Sequence, residues 1–229
     1  MDDGELMGIR IETSFVFDGR GRMLRCNEPD ETPAPRLLLA RTRDGDLYRF
    51  GHTLPDALAQ RLGEVLAREL PAGDVRAPPA GLALLRELLA SYAPIADEGG
   101  GPAYHFPNEL ALPREVRPIT AADAPLVRET FPWVTLAGWQ PCFAVVRDGA
   151  AVSVCFSARM GARAAEAGVN TLPEFRGRGY AAAVTAAWGA AIRARGLIPL
   201  YSTSWDNLAS QGVARRVGLQ MFGADMHWT

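Results

Sequence analysis

The sequence contains no lysine; all 24 of its basic side chains are arginine. A Walker A phosphate loop is therefore excluded, because its Gly-Lys-Ser/Thr cannot be spelled without lysine. Given the abundant Ala, Gly and Pro, the absence reads as codon bias rather than function. Cysteine is scarce: Cys26, Cys142 and Cys155 are scattered, with no Cys-x-x-Cys and no metal-ligand spacing. No metal site is expected, and an odd, patternless count fits a reducing compartment. His52 stands alone beside a turn and reads as a surface residue, and His227 has no chemical partner in view. The net charge is only −2, so bulk electrostatics give no reason to expect nucleic acid, and any anion site must be local. No apolar stretch free of charges and breakers is long enough to span a bilayer. The first residues, "MDDGELMGIR", are acidic and lack the apolar run of a signal peptide. The expectation is a cytoplasmic protein without membrane or nucleic-acid partners.

What is present is ordinary for a soluble globular chain: 229 residues, 48% hydrophobic and 22% charged. That is enough for one large or two small domains. The glycine-rich "ADEGGGPA" at 96–103 reads as a break, giving an N-terminal region over 1–100, a linker over 101–113 and a second domain over 114–229. In the first region, Asp18-Gly19 and Asp44-Gly45 sit between strand-like runs and predict two hairpins. Helices are expected over "TLPDALAQRLGEVLAREL" and "GLALLRELLASY". This makes a small α+β unit without a recognisable chemical constellation. The second region reads β-α-β-β-β-α-β-α-β. Thr120 and Asp123 form a capping-box start, and Arg147-Asp148-Gly149 turns a hairpin. Gly196 and Gly218 are placed to end the two longer helices.

One segment carries chemistry. In "TLPEFRGRGYAAAV", residues 171–184, two arginines alternate with two glycines at the start of an alanine-rich helix. The first amides of a helix have no intrahelical partner, and the helix dipole adds partial positive charge. Glycine lets an anion approach them; Arg176 and Arg178 can add charge-assisted bonds. A phosphate or pyrophosphate is the natural occupant, the bland alternative being a surface turn with solvated arginines. Gly177-x-Gly179-x-x-Ala182 also satisfies the letters of a dinucleotide fingerprint. The strand that follows, however, ends without the required acidic residue until Asp206, and only about 50 residues remain.

Arg176-x-x-Gly179-x-Ala181, after Thr171-Leu172-Pro173, resembles the pyrophosphate loop of the GCN5-related N-acetyltransferase (GNAT) family. The resemblance spans roughly 114–229. It extends to "WDNLASQGVARRVGL", with Asn207 at a helix start, small Ser210 one turn in, and Gly218-Leu219 where the family often has Gly-Phe. Within the family, "VNTLPEFRGRGYA" and "SWDNLAS" look nearest to bacterial and glycine-N-acyltransferase-like members. The resemblance implies an α+β acyl-CoA N-acyltransferase fold. Its mixed central sheet has splayed parallel strands flanked by helices, preceded here by the smaller N-terminal region. It implies acetyl-CoA, or another acyl-CoA, as co-substrate, and direct attack on the thioester by a small-molecule or peptide amine. Cofactor contacts would come from Asn170, Thr171, Leu172, Arg176, Gly177, Arg178, Gly179, Tyr180, Ala181, Asn207 and Ser210, with backbone amides near 170–172 facing the pantetheine arm. Arg215 and Arg216 complement a helix terminus or reach the ribose phosphate.

Alternation along "AAEAGVNT" puts Ala165, Ala167, Val169 and Thr171 on one face, and Ala164, Glu166, Gly168 and Asn170 on the other. Glu166 is the candidate general base, directly or through water; the alternative is an ion pair with Arg159 or Arg163. The family's acid, a tyrosine four residues before the Gly-Phe pair, is replaced by Ala214. The acid role therefore turns to Tyr201, with Ser202 and Ser204 beside it. Ala214 also keeps a non-catalytic acyl-CoA-binding or regulatory module as the alternative function. Cys155, Val184 and Trp188 read as core.

Overall fold

The computed structural model describes residues 1–111, 115–134, 138 and 140–229. The chain forms two compact units: 1–103 with 203–206 and 221–229, and 104–202 with 207–220. The expected domain start at Arg114 lies outside the described residues.

The first unit opens with α1 (Asp3–Ser14), which the acidic composition of the segment concealed. Its signal is Asp2-x-x-Glu5: Asp2 Oδ1 accepts the Glu5 N–H at 2.7 Å and caps the helix. The expected hairpins follow as β1 (Phe15–Phe17) with β2 (Met23–Cys26), and β3 (Leu37–Thr42) with β4 (Gly45–Phe50). Helices α2 (Asp56–Leu66) and α3 (Leu82–Tyr92) pack Leu58, Leu62, Leu85 and Leu89 onto Leu37, Leu39 and Trp228. The glycine-rich segment corrects the linker expectation: Glu98–His105 is a strand, β5. Its glycines serve close backbone approach instead. A Cβ on Gly100 would lie 2.2 Å from the Asp225 carbonyl oxygen, and one on Gly101 1.9 Å from that of Thr203.

The second unit follows the expected element order. β6 (Val116–Ile119) leads through a one-turn 3-10 segment into the short α4 (Ala124–Arg128), with the Thr120/Asp123 capping box in place. β7 (Cys142–Arg147) and β8 (Ala150–Met160) form the hairpin, turned by Asp148 and Gly149, both at positive φ. β9 (Ala164–Thr171), α5 (Tyr180–Ala194), β10 (Ile198–Ser202) and α6 (Leu208–Val217) complete it. The strands lie in the order β10-β9-β8-β7-β6. β9 is parallel to β10 and antiparallel to β8, so the sheet is mixed. The last strand, β11 (Gln220–Trp228), pairs with β3 and so joins the first unit, whose order is β4-β3-β11-β5. Composition could not reveal that return, because a pairing partner far away in sequence leaves no local mark.

Helix α5 packs across β7 to β10. Val184, Trp188 and Ile192 meet Val145, Val152, Cys155, Ala165 and Ala167 on that face, as the sequence reading expected of Val184, Trp188 and Cys155. The opposite face holds Val127, Phe131, Ala144, Val154 and Phe156, so both faces of β7 and β8 are covered. Trp188 donates its indole N–H to Ser157 Oγ at 3.1 Å, satisfying the polar tip of a fully buried ring. Gly189 sits against Phe106, whose ring would be 2.5 Å from an added Cβ.

Gly189→Ala therefore sets two effects against each other. Helix propensity favours alanine by about 1 kcal/mol, while overpacking against buried Phe106 costs about 1–3 kcal/mol. The clash should win: urea denaturation is expected to show a destabilised variant, and a stabilised one would contradict this packing.

Candidate functional site

β9 and β10 pair at Ile198↔Ala164, Pro199↔Ala165 and Leu200↔Glu166. Beyond that point the two strands no longer pair among the described residues, although β9 continues to Thr171 and β10 to Ser202. The antiparallel ladder with β8 decides which groups this opening frees. Leu172 donates its N–H to the Val152 carbonyl at 3.0 Å, so the alternation points the amides of Gly168 and Asn170 to β8 as well. Those of Val169 and Thr171 face the side β10 has left, while the Ala167 amide is still taken up by the parallel ladder at Leu200. This corrects the expectation for residues 170–172. Thr171 alone of the three offers its amide to the opening, and Leu172 neither has a free N–H nor lines the cavity.

After β9 the chain makes a 3-10 turn over Pro173–Phe175, then two left-handed glycines, Gly177 at φ 77° and Gly179 at φ 86°. Gly179 is the N-cap of α5, with no side-chain cap. The first helical bond runs from the Ala183 N–H to the Gly179 carbonyl at 3.1 Å. The N–H groups of Gly179, Tyr180, Ala181 and Ala182 have no backbone or side-chain acceptor among the described residues. The loop is open to solvent at Arg176, Gly177 and Arg178.

A cavity of about 590 Å³ lies against this helix start. It gathers Asn170, Thr171, Arg176, Gly177, Gly179, Tyr180, Ala181, Asn207 and Ser210 from the sequence-derived set. Val169, Phe175, Val213 and Arg216 are among the residues that add to its walls. Arg176 is steadied by its Nε donating to the Thr171 carbonyl at 3.3 Å. Arg216, from the last turn of α6, reaches the loop: a Cβ on Gly179 would be 3.2 Å from its Nη1. Of the two arginines left open between a dipole role and a ligand role, it is Arg216 that lines the cavity. Arg178 does not line it; its guanidinium lies 5.1 Å over the Phe175 ring and donates to the Glu174 carbonyl at 3.2 Å. Alternation of Arg and Gly could not distinguish the inward arginine from the outward one.

Asn207 Oδ1 accepts the Ser210 N–H at 3.0 Å and caps α6, leaving its Nδ2 donors for the cavity. The Tyr180 hydroxyl accepts from Arg147 Nη2 at 3.2 Å, and the Arg147 guanidinium lies 4.9 Å over its ring. Tyr180 is thereby held as a wall.

The two candidate catalytic side chains are buried. Glu166 is 2% exposed and pairs with Arg159 Nη1 at 2.7 Å, the ion pair weighed against the base role, on a covered strand face rather than an exposed one. Tyr201 is 1% exposed, and its hydroxyl lies 2.6 Å from Ser210 Oγ. Burial pushes the phenol up to about 12, against a smaller opposing effect from Ser210. Ala214 is fully buried in the same cluster and contributes no hydroxyl.

Among the described residues no group of His, Cys, Asp and Glu could hold a metal ion, and no helix is long and apolar enough to cross a membrane. Burial raises the Cys142 thiol to about 12 and Cys155 well above its ordinary value, so neither supplies a thiolate nucleophile near neutral pH. Alkylation of the folded protein at pH 8 should modify Cys26, which is partly exposed, well before the other two. Fast labelling of Cys155 by mass spectrometry would contradict its burial.

Residues 141–224 match the model of the GNAT acetyltransferase family. Among solved structures, the chain is similar to a GCN5-related N-acetyltransferase-like protein from Streptococcus suis, with 17% identity and TM-score 0.51, covering 86% of this chain and 85% of that one. A Drosophila protein aligns with 17% identity and TM-score 0.51 over 83% of this chain and 73% of that one. A GNAT-family structure from Novosphingobium aromaticivorans aligns with 18% identity and TM-score 0.48 over 59% of this chain, which spans 65% of that one's length. No curated protein matches the sequence. The fold is thus the mixed sheet flanked by helices of the acyl-CoA N-acyltransferases.

Proposed function

We propose that the protein is an N-acyltransferase that moves an acetyl group from acetyl-CoA to a primary amine of a small molecule or peptide by direct attack. The observation that carries this is the open row of donors from Gly179 to Ala182, flanked by Arg176 and Arg216, at the mouth of a cavity that continues to the freed edge of β9. In this reading those amides and both arginines hold the diphosphate of the coenzyme. Thr171, Val169 and the Asn207 Nδ2 offer hydrogen bonds to the amide-bearing arm. Bare Gly177, with nothing within 4 Å of an added Cβ, leaves room for the ligand.

When bound, the coenzyme supplies a thioester carbonyl: the amine nitrogen bonds to its carbon, the carbon–sulfur bond breaks and the electron pair goes to sulfur. The chain's part is to orient these groups, worth a large share of the barrier, and to take the proton the nitrogen loses. Glu166 has the proton-accepting role, directly or through water. Residues 114–229 carry the chemistry, in a cytoplasmic protein nearest to bacterial and glycine-N-acyltransferase-like members. Ala214 favours one second reading, an acyl-CoA-binding module without turnover.

Acetyl-CoA at a hundred times its Kd should stabilise the protein by about 2.7 kcal/mol, visible as a rise in Tm. Gly179→Glu, which sets a carboxylate among those donors, should abolish the rise. No shift at millimolar acetyl-CoA would sink both readings. Across an amine panel, Glu166→Gln should slow release of free thiol by about 10²–10⁴-fold at unchanged cofactor affinity. Binding with no thiol release from the wild type would leave the module.

A further inference from the structure

Tyr201 is a buried phenol whose hydroxyl makes its short contact with a residue of the cavity wall. The Ser210 Oγ is 2.6 Å away; the Ser210 carbonyl, at 3.4 Å, is a poor alternative acceptor. Ser210 lies in the first turn of α6, and its backbone N–H is already committed to Asn207 Oδ1. A serine hydroxyl has one proton and two lone pairs. If the phenol donates to one lone pair, the serine proton must point elsewhere, and Ser210 lines the cavity beside Val169, Thr171 and Asn207. A phenol raised to about 12 keeps its proton at working pH and so has one to give to the Ser210 oxygen, although either oxygen can be the donor in this pair. Ala214, one turn further along the same face of α6, has no proton to offer. The adjacent rings of Tyr104 and Tyr201, with centroids 6.4 Å apart, help fix the phenol in position.

We propose that the Ser210 hydroxyl, oriented by Tyr201, donates a hydrogen bond to the coenzyme sulfur as negative charge gathers on it. Ser210 is then a catalytic residue and Tyr201 a positioning residue. No proton changes owner in this step: the O–H stays on serine, and the electron pair of the broken carbon–sulfur bond stays on sulfur. The inference rests on the acyl-CoA reading above and locates the sulfur end of the cavity at the first turn of α6.

The test needs no acceptor amine. Free coenzyme A is added to the full chain, binding is measured by calorimetry, and the bound thiol is titrated by its thiolate absorbance in the ultraviolet. A hydrogen bond to the charged form makes the thiol a stronger acid, so it should be more acidic bound than free. Ser210→Ala should weaken it as an acid by about tenfold, the scale of one hydrogen bond to a charged group. Ser210→Thr, which keeps the hydroxyl, should restore it. Tyr201→Phe should lose part of the effect, and adding it to Ser210→Ala should cost nothing more, because it acts through that serine. A bound thiol no more acidic than the free one overturns the proposal from the wild type alone, whatever the variants do. Equal acidity in wild type and Ser210→Ala overturns it too, and an unaffected Tyr201→Phe overturns the positioning role. Failure of coenzyme A to bind the wild type at all strikes the acyl-CoA reading instead.

Discussion

A helix cannot satisfy its own first amides, and the site depends on where α5 leaves them. Most proteins cover such donors with a Ser, Thr, Asp or Asn cap. Here the cap is Gly179 in a left-handed conformation, which offers no side chain. The donors remain directed at the cavity, and the arginines that approach them come from two different elements. The direction of the amides is set by the packing of α5, through Trp188 and Ile192, against the sheet. An anion site at the helix mouth is thus held by apolar contacts along the helix body.

The second constraint is the early separation of β9 from β10. A strand edge inside a sheet has no free hydrogen-bonding groups, whereas an edge whose neighbour has turned away has alternate ones. The same ladder that commits the Leu172 amide to Val152 leaves Thr171 and Val169 facing the gap. The antiparallel partner of β9 also separates this sheet from a doubly wound dinucleotide fold, which would place parallel strands there. The phosphate-binding letters Gly-x-Gly therefore sit in a different architecture from the one their spacing alone suggests.

Much of this was legible in the chain. The order of elements in the second region, a helix start at Asn207, and the Gly196 and Gly218 stops all follow from local rules, because each needs only its own few residues to be satisfied. What was misjudged needed partners from afar. "EGGGPAYH" has the composition of a linker yet is strand β5, because its glycines answer to the backbones of Asp225 and Thr203. Arg178 and Arg176 are equivalent in the motif, but Phe175 draws one outward while the other lines the cavity.

Local spacing alone determined that a glycine-capped helix follows a strand and that its first amides lie bare, since backbone conformation and capping are settled within a turn or two. Tertiary structure decided which groups share the space in front of those amides. Arg216 reaches the loop from another helix, Ser210 of α6 meets Tyr201 of β10, and Glu166 is enclosed with Arg159. These meetings depend on how the sheet and helices pack, and packing distances between side chains distant in sequence are not written in either segment by itself.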